Sequence, residues 1–120
     1  MSKIRITGGE WRSRLIQVAD APGLRPTPDR VRETLFNWLG QSLTGWHCLD
    51  LFAGSGILGF ECASRGAESV VLVERDQRVL AQLRQNAAGF SCDRLRLERA
   101  DALEFANAAA QQDRRFDLIL

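Results

Sequence analysis

The sequence predicts an α/β protein: an incomplete parallel sheet with covering helices, preceded by a β-hairpin. Three observations point there. From Trp46 onward, apolar runs alternate between strand-like and helix-like periods. A glycine-rich turn, Asp50-Leu51-Phe52-Ala53-Gly54-Ser55-Gly56-Ile57-Leu58-Gly59, follows the first of these strands and opens an apolar helix. Near the amino terminus, two alternating runs flank Gly8-Gly9, a hairpin signal. The expected division is a basic hairpin and connector over residues 1–26 and a Rossmann-like domain over 27–120.

Lys3-Ile4-Arg5-Ile6-Thr7 and Glu10-Trp11-Arg12-Ser13-Arg14-Leu15 read as the two hairpin strands. A two-residue turn at Gly8-Gly9 would set Arg5 opposite Arg12 and Lys3 opposite Arg14, with Ile4, Ile6 and Trp11 on the other face. Like charges facing one another destabilise a ladder, and phosphate on the basic face would relieve them. The competing reading is a solvated face with splayed side chains, and a bulge or longer turn would break the pairing. The connector from Ala21 to Pro26 cannot be helical through its prolines. Thr27 is then expected to cap a helix with Pro28 at its first position and Asp29 beside its positive end. Val31, Leu35, Trp38 and Leu39 form the expected apolar stripe, and Gly40 ends the helix. Arg30 and Arg32 lie off that stripe, either solvated or functional.

The α/β part reads as strand Trp46–Leu51, helix Ile57–Arg65, strand Ser69–Glu74 and a helix capped by Asp76 with Val79, Leu80 and Leu83 inward. A strand near Leu95–Arg99, a helix near Ala102–Ala110 and a strand Phe116–Leu120 complete the order. Right-handed crossovers would make these strands parallel.

The chemistry concentrates at the glycine turn. Gly54 and Gly56 let the backbone bend sharply and approach a ligand. Glu74, at the end of the next strand, is placed to accept hydrogen bonds from ribose hydroxyls. Asp50 decides between ligands. A carboxylate just before the turn would repel the pyrophosphate of a dinucleotide, whereas it attracts the ammonium and sulfonium of S-adenosylmethionine. The pattern therefore favours methyl transfer over hydride transfer. Asp101 falls on the same rim, where it can accept a bond from an adenine amino group or simply cap the next helix.

Composition sets the limits. With 120 residues, 45% hydrophobic and 26% charged, the chain has the make-up of one soluble globular domain, without an apolar run of membrane length or a signal-type core. Cys48, Cys62 and Cys92 are widely spaced and read as reduced cytoplasmic thiols, so no metal or disulfide is expected, and His47 lacks a ligand-spaced partner. The net charge of +1 is uneven: residues 1–32 hold seven basic residues against three acidic, and the remainder nine against twelve. A basic head suggests a polyanionic partner.

Three separated motifs carry a resemblance. They are Arg5-Ile6-Thr7-Gly8-Gly9-Glu10-Trp11-Arg12, the run Leu24-Arg25-Pro26-Thr27 through Asp29-Arg30-Val31-Arg32-Glu33-Thr34-Leu35-Phe36-Asn37-Trp38-Leu39, and Leu49-Asp50-Leu51-Phe52-Ala53-Gly54-Ser55-Gly56. Together they resemble the RsmD family of bacterial 16S ribosomal RNA guanine-N2 methyltransferases, from Lys3 to Leu120. The resemblance implies S-adenosyl-L-methionine as methyl donor and ribosomal RNA or the small ribosomal subunit particle as partner. It implies that Asp50, Phe52, Ala53, Gly54, Gly56, Glu74 and Asp101 surround the cofactor. Lys3, Arg5, Arg12, Arg14, Arg25, Thr27 and Arg30 are the expected RNA contacts, with the Arg25-Pro26-Thr27 turn closing over the methionine end or facing RNA.

One departure counts against activity of these residues alone. The family places Asn/Asp-Pro-Pro-aromatic directly after its fourth strand, and here that strand ends at Leu120. That motif would localise the guanine N2 lone pair and stack the base, so no catalytic residue is assigned within 1–120. The expectation is an inactive fragment with an unprotected, aggregation-prone edge at Leu118–Leu120, from an enzyme that is monomeric at full length. The rivals are a methyltransferase for another substrate, a nicotinamide-dependent oxidoreductase, and a non-catalytic cofactor- or RNA-binding fragment.

Overall fold

The computed structural model of the chain describes residues 2–120. Its elements are β1 (Ser2–Arg5), β2 (Leu15–Val18), α1 (Asp29–Leu39), β3 (His47–Asp50), α2 (Ile57–Ser64), β4 (Ser69–Glu74), α3 (Gln77–Ala88), β5 (Leu95–Arg99), α4 (Ala102–Gln111) and β6 (Leu118–Ile119). β1 and β2 pair antiparallel, and the remaining strands form a parallel sheet in the order β5-β4-β3-β6. This is the α/β class expected from the sequence, a Rossmann-like sheet with a separate hairpin.

The central strand explains why the sheet forms here. Val70, Val71, Leu72 and Val73 of β4 are all buried, because helices cover both faces. On one face, Leu72 and Val70 join Phe60 of α2, Leu80 and Leu83 of α3, Phe36 of α1, and Ile6, Trp11 and Ile16 from the hairpin region. On the other, Leu49, Val71 and Val73 pack with Phe105 and Ala109 of α4. α3 starts where predicted: Asp76 Oδ1 accepts from the amides of Arg78 (2.9 Å) and Val79 (3.1 Å). β6 pairs only with β3, so its outer edge faces no strand among the described residues. Nor, among them, is any helix long and apolar enough to cross a membrane.

Three local expectations are corrected. The hairpin does not turn at Gly8-Gly9. Its register sets Lys3 opposite Gln17 and Arg5 opposite Leu15, leaving a wide loop from Ile6 to Arg14. The cause is docking against the end of α2. Gly9, with φ +79°, sits where a Cβ would overlap the Ser64 carbonyl, the Glu10 amide donates to that carbonyl (2.7 Å), and the Trp11 amide donates to Ser64 Oγ (2.9 Å). The expected pairs Arg5–Arg12 and Lys3–Arg14 are therefore not formed. Second, the residue at the cap position of α1 is Pro28, with no side-chain cap bond, and not Thr27.

The third correction concerns the inward face of α1. Val31 and Trp38 are exposed, Trp38 at 82%, while Arg32 and Phe36 are wholly buried. Leu35 and Leu39 pack against the core as expected, but Arg32 and Phe36 take the inward positions expected of Val31 and Trp38, and one of the two carries a charge. Arg32 Nη1 meets Glu61 Oε2 at 2.8 Å, Glu61 Oε1 pairs with Arg65, and the Arg65 guanidinium lies over the Phe36 ring at 4.0 Å. Glu61 Oε2 also accepts from the Thr7 amide (2.9 Å) and hydroxyl (2.8 Å). Removing the carboxylate would strand two buried guanidiniums, so Glu61→Ala should cost about 3–5 kcal/mol of folding stability. Urea unfolding checks this, and a loss below about 1 kcal/mol would contradict the role.

Candidate cofactor site

The site lies at the carboxyl ends of β3, β4 and β5, where a parallel sheet leaves room for ligands. β3 ends at Asp50, β4 ends at Glu74, and Asp101 stands just past β5. The turn after β3 is held by the Ala53 amide donating to Val73 O (3.0 Å) and the Gly54 amide donating to Glu74 Oε1 (3.0 Å). Gly56 must be glycine: its φ is +82° and a Cβ would overlap Leu83 of α3. Glu74 Oε2 accepts from the Asp76 amide (2.9 Å), so the carboxylate is fixed by two backbone donors and keeps further lone pairs for a ligand.

Two clefts open on this rim, and Phe52, 79% exposed, lines both. One, of about 210 Å³, is walled by Leu51, Val73, Glu74, Ala100 and Asp101. The other, of about 220 Å³, runs between Asp50, Ala53 and Gly54 on one side and Leu24, Arg25 and Thr27 on the other. The predicted cofactor residues are thus brought together, except that Gly56 packs beneath the turn instead of lining a cleft. Asp101 caps α4, its Oδ1 accepting from the amides of Leu103 (2.9 Å) and Glu104 (3.2 Å), and faces the first cleft as well. Sequence reasoning missed Leu24; the apolar side chain in a Pro/Gly-flanked connector was its one signal.

The RNA candidates fall into two groups. Lys3, Arg5 and Arg12 are exposed on the hairpin region. Arg14 is engaged, donating to Gly89 O (3.0 Å) with its guanidinium 4.1 Å from the Phe90 ring centroid. Arg25 and Thr27 border the second cleft, and Arg30 is exposed at the start of α1. Among the described residues, no group of three or more His, Cys, Asp or Glu could hold a metal ion.

Asp50 is the electrostatic anomaly. Only 3% exposed, it forms no ion pair among the described residues. Burial lifts its carboxyl from 3.8 to about 6, the backbone N–H groups of Phe52 and Gly59 pull it down, and Glu74 adds to the rise.

The fold and the glycine turn with its carboxylates define a Rossmann-like methyltransferase scaffold. A family model described as "Conserved hypothetical protein 95" matches residues 4–120. The chain belongs to that family, the RsmD family, as its three motifs imply. Over 103 residues it is 50% identical to the ribosomal RNA small subunit methyltransferase D of Escherichia coli strain K12, covering 86% of this chain and 52% of that protein. Among solved structures, a putative methyltransferase from Escherichia coli superposes with a TM-score of 0.79 at 45% identity, covering 87% of this chain and 56% of that one. A hypothetical protein from Thermus thermophilus gives 0.84 at 32% identity, covering 97% and 66%. The chain spans about half the length of the curated relatives it matches.

The pH dependence of stability tests Asp50. The folded state binds this proton more tightly than the unfolded chain. Its contribution to stability is therefore present below about pH 4 and is lost as pH rises through about 6, a change of up to about 3 kcal/mol. Asp50→Asn should remove that slope, so the variant's unfolding free energy gains on the wild type between pH 4 and about 7. A wild-type-minus-variant difference that stays flat over that range would contradict a raised Asp50.

Proposed function

We propose that these residues form the cofactor-binding half of an enzyme that transfers a methyl group from S-adenosylmethionine to a guanine N2 in small-subunit ribosomal RNA. The observation that carries the reading is Asp50, a buried carboxylate beside a glycine turn that makes no ion pair among the described residues. Such a site favours a ligand that brings its own positive charge. S-adenosylmethionine fits, since its ammonium and sulfonium would supply the missing countercharge and it has no phosphate to repel. The bound cofactor supplies a methyl group on an electron-poor sulfur. Asp50 would face its cationic end, Glu74 its ribose, and Asp101 its adenine, with Phe52 dividing the two clefts.

Ribosomal RNA as acceptor is supported by what the relatives' names say of those proteins and by the basic residues at the amino-terminal end. Lys3, Arg5 and Arg12 would take phosphates, as would Arg30 at the exposed start of α1, while Arg25 and Thr27 border the cleft that holds Asp50. The residues that activate the amine are proposed to follow β6. Leu51 N lies 3.4 Å from Leu120 O, so the carboxyl end of β6 reaches the rim that carries Phe52 and Asp50.

Titration calorimetry on the full-length protein should show binding of S-adenosylhomocysteine and none of NAD. Methyl transfer to small-subunit ribosomal RNA should yield N2-methylguanosine on nucleoside analysis; methylation of another base would overturn the acceptor assignment. The affinity of the full-length protein for RNA should fall with salt by a log–log slope of about −0.7 to −0.9 per phosphate contacted. Replacing Lys3, Arg5 and Arg12 with Gln should flatten the total slope by about 2 to 3, and an unchanged slope would remove the hairpin from the RNA site.

A further inference from the structure

We propose that Arg32 is a positioning residue for the cofactor cleft, holding the strap Gly23–Thr27 as the outer wall opposite Asp50. The proposal rests on reading that cleft as the cofactor site. The strap has no helix or strand of its own, yet it faces Asp50 and Gly54 across the cleft. Leu24 reaches far enough that a Cβ on Gly54 would come within 2.9 Å of its Cδ1.

What fixes the strap lies beneath it. The buried Arg32 donates from Nε to Thr27 O (3.0 Å) and from Nη1 to Glu61 Oε2 (2.8 Å) and Arg5 O (2.8 Å), and Nη2 pairs with Asp29. Glu61 belongs to α2, the helix that the glycine turn opens. One rigid guanidinium therefore ties the strap to the helix that carries the opposite wall, so the width of the cleft is set by a fork of donors in fixed geometry. Lysine has a single flexible ammonium and cannot span the same partners. Packing alone would need an apolar side chain here, since a buried ion pair adds little net stability over one.

The test uses the full-length protein and three readouts: affinity for S-adenosylhomocysteine by calorimetry, hydrogen exchange at the amides of Gly23, Leu24, Arg25 and Thr27, and the unfolding midpoint. Arg32→Lys should weaken binding about tenfold or more and speed exchange in the strap. Thr7→Val, which removes a different donor to Glu61, the Thr7 hydroxyl, but touches no strap atom, should lower the midpoint and leave affinity within about twofold. Wild-type affinity in Arg32→Lys, unchanged strap exchange, or an equal loss in Thr7→Val would each overturn the proposal. If Arg32→Lys does not fold, Leu24→Ala decides: weaker binding at an unchanged midpoint supports the strap as a wall, and unchanged binding overturns it. If wild type binds no S-adenosylhomocysteine, the cofactor reading fails, while strap exchange in Arg32→Lys still decides whether Arg32 holds the strap.

Discussion

The arrangement of this chain depends on one buried carboxylate, Glu61. Taking a carboxylate out of water costs several kcal/mol after relaxation, which is recovered only when its lone pairs are filled. Here they are filled by Arg32, Arg65, and the amide and hydroxyl of Thr7. The arginines are satisfied in turn, Arg65 Nε by Gln41 (3.2 Å) and Arg32 by two backbone carbonyls, and no buried side-chain polar atom among the described residues lacks a partner. A cluster so connected has one low-energy arrangement. It joins the loop after β1, the start of α1 and the middle of α2, three pieces that share little regular hydrogen bonding. The hairpin thereby packs into the same core as the sheet instead of hanging from it.

Asp50 makes the opposite case with the same functional group. It is nearly as buried, but its compensation among the described residues is backbone N–H groups, and its affinity for a proton rises accordingly. The two N–H groups of Phe52 and Gly59 fix the carboxylate in place, but they bring no full positive charge to it. The contrast between the two acids separates architecture from chemistry. Glu61 is matched by charges within the protein, whereas on the proposed function Asp50 would be matched by the cofactor. Natural proteins carry such local costs where a ligand repays them.

The sequence made legible whatever is decided locally. β4 comes out at its predicted bounds, Ser69–Glu74, because a solid apolar run ending in a carboxylate has one reading in an α/β chain. Asp76 caps its helix as expected and Asp101 takes the cap that was one of its two readings, because an N-cap depends only on the next three residues. The failures come from contacts far apart in sequence. Gly8-Gly9 reads as a tight turn until Ser64 is brought against it, and Arg32 reads as a surface residue until Glu61 is. Glu61 and Arg65 stand one helical turn apart in an otherwise apolar helix, so a buried ion pair there was visible in principle; its third member was not. The glycine turn was legible because its geometry demands its residue types, while the strap that faces it was placed only through the resemblance carried by Arg25-Pro26-Thr27.

On the proposed function, a site for a cationic cofactor would create a difficulty for a polyanionic substrate. Asp50, Glu74 and Asp101 put negative charge on the rim that RNA would have to reach, and at physiological salt that field extends about 8 Å. Arg25 on the strap and Arg75 beside Glu74 border the same clefts, where each can offset a carboxylate at short range. The remaining cations, Lys3, Arg5 and Arg12, stand on the hairpin, where phosphates can be held away from the acidic rim. On the proposed function, this division has a mechanical consequence. The two basic groups must keep a fixed spacing for one RNA to meet both, and the carbonyls of Arg5 and Thr27 are held by the same Arg32 guanidinium. The buried network therefore sets the register between phosphate grip and reaction centre as directly as it sets the fold.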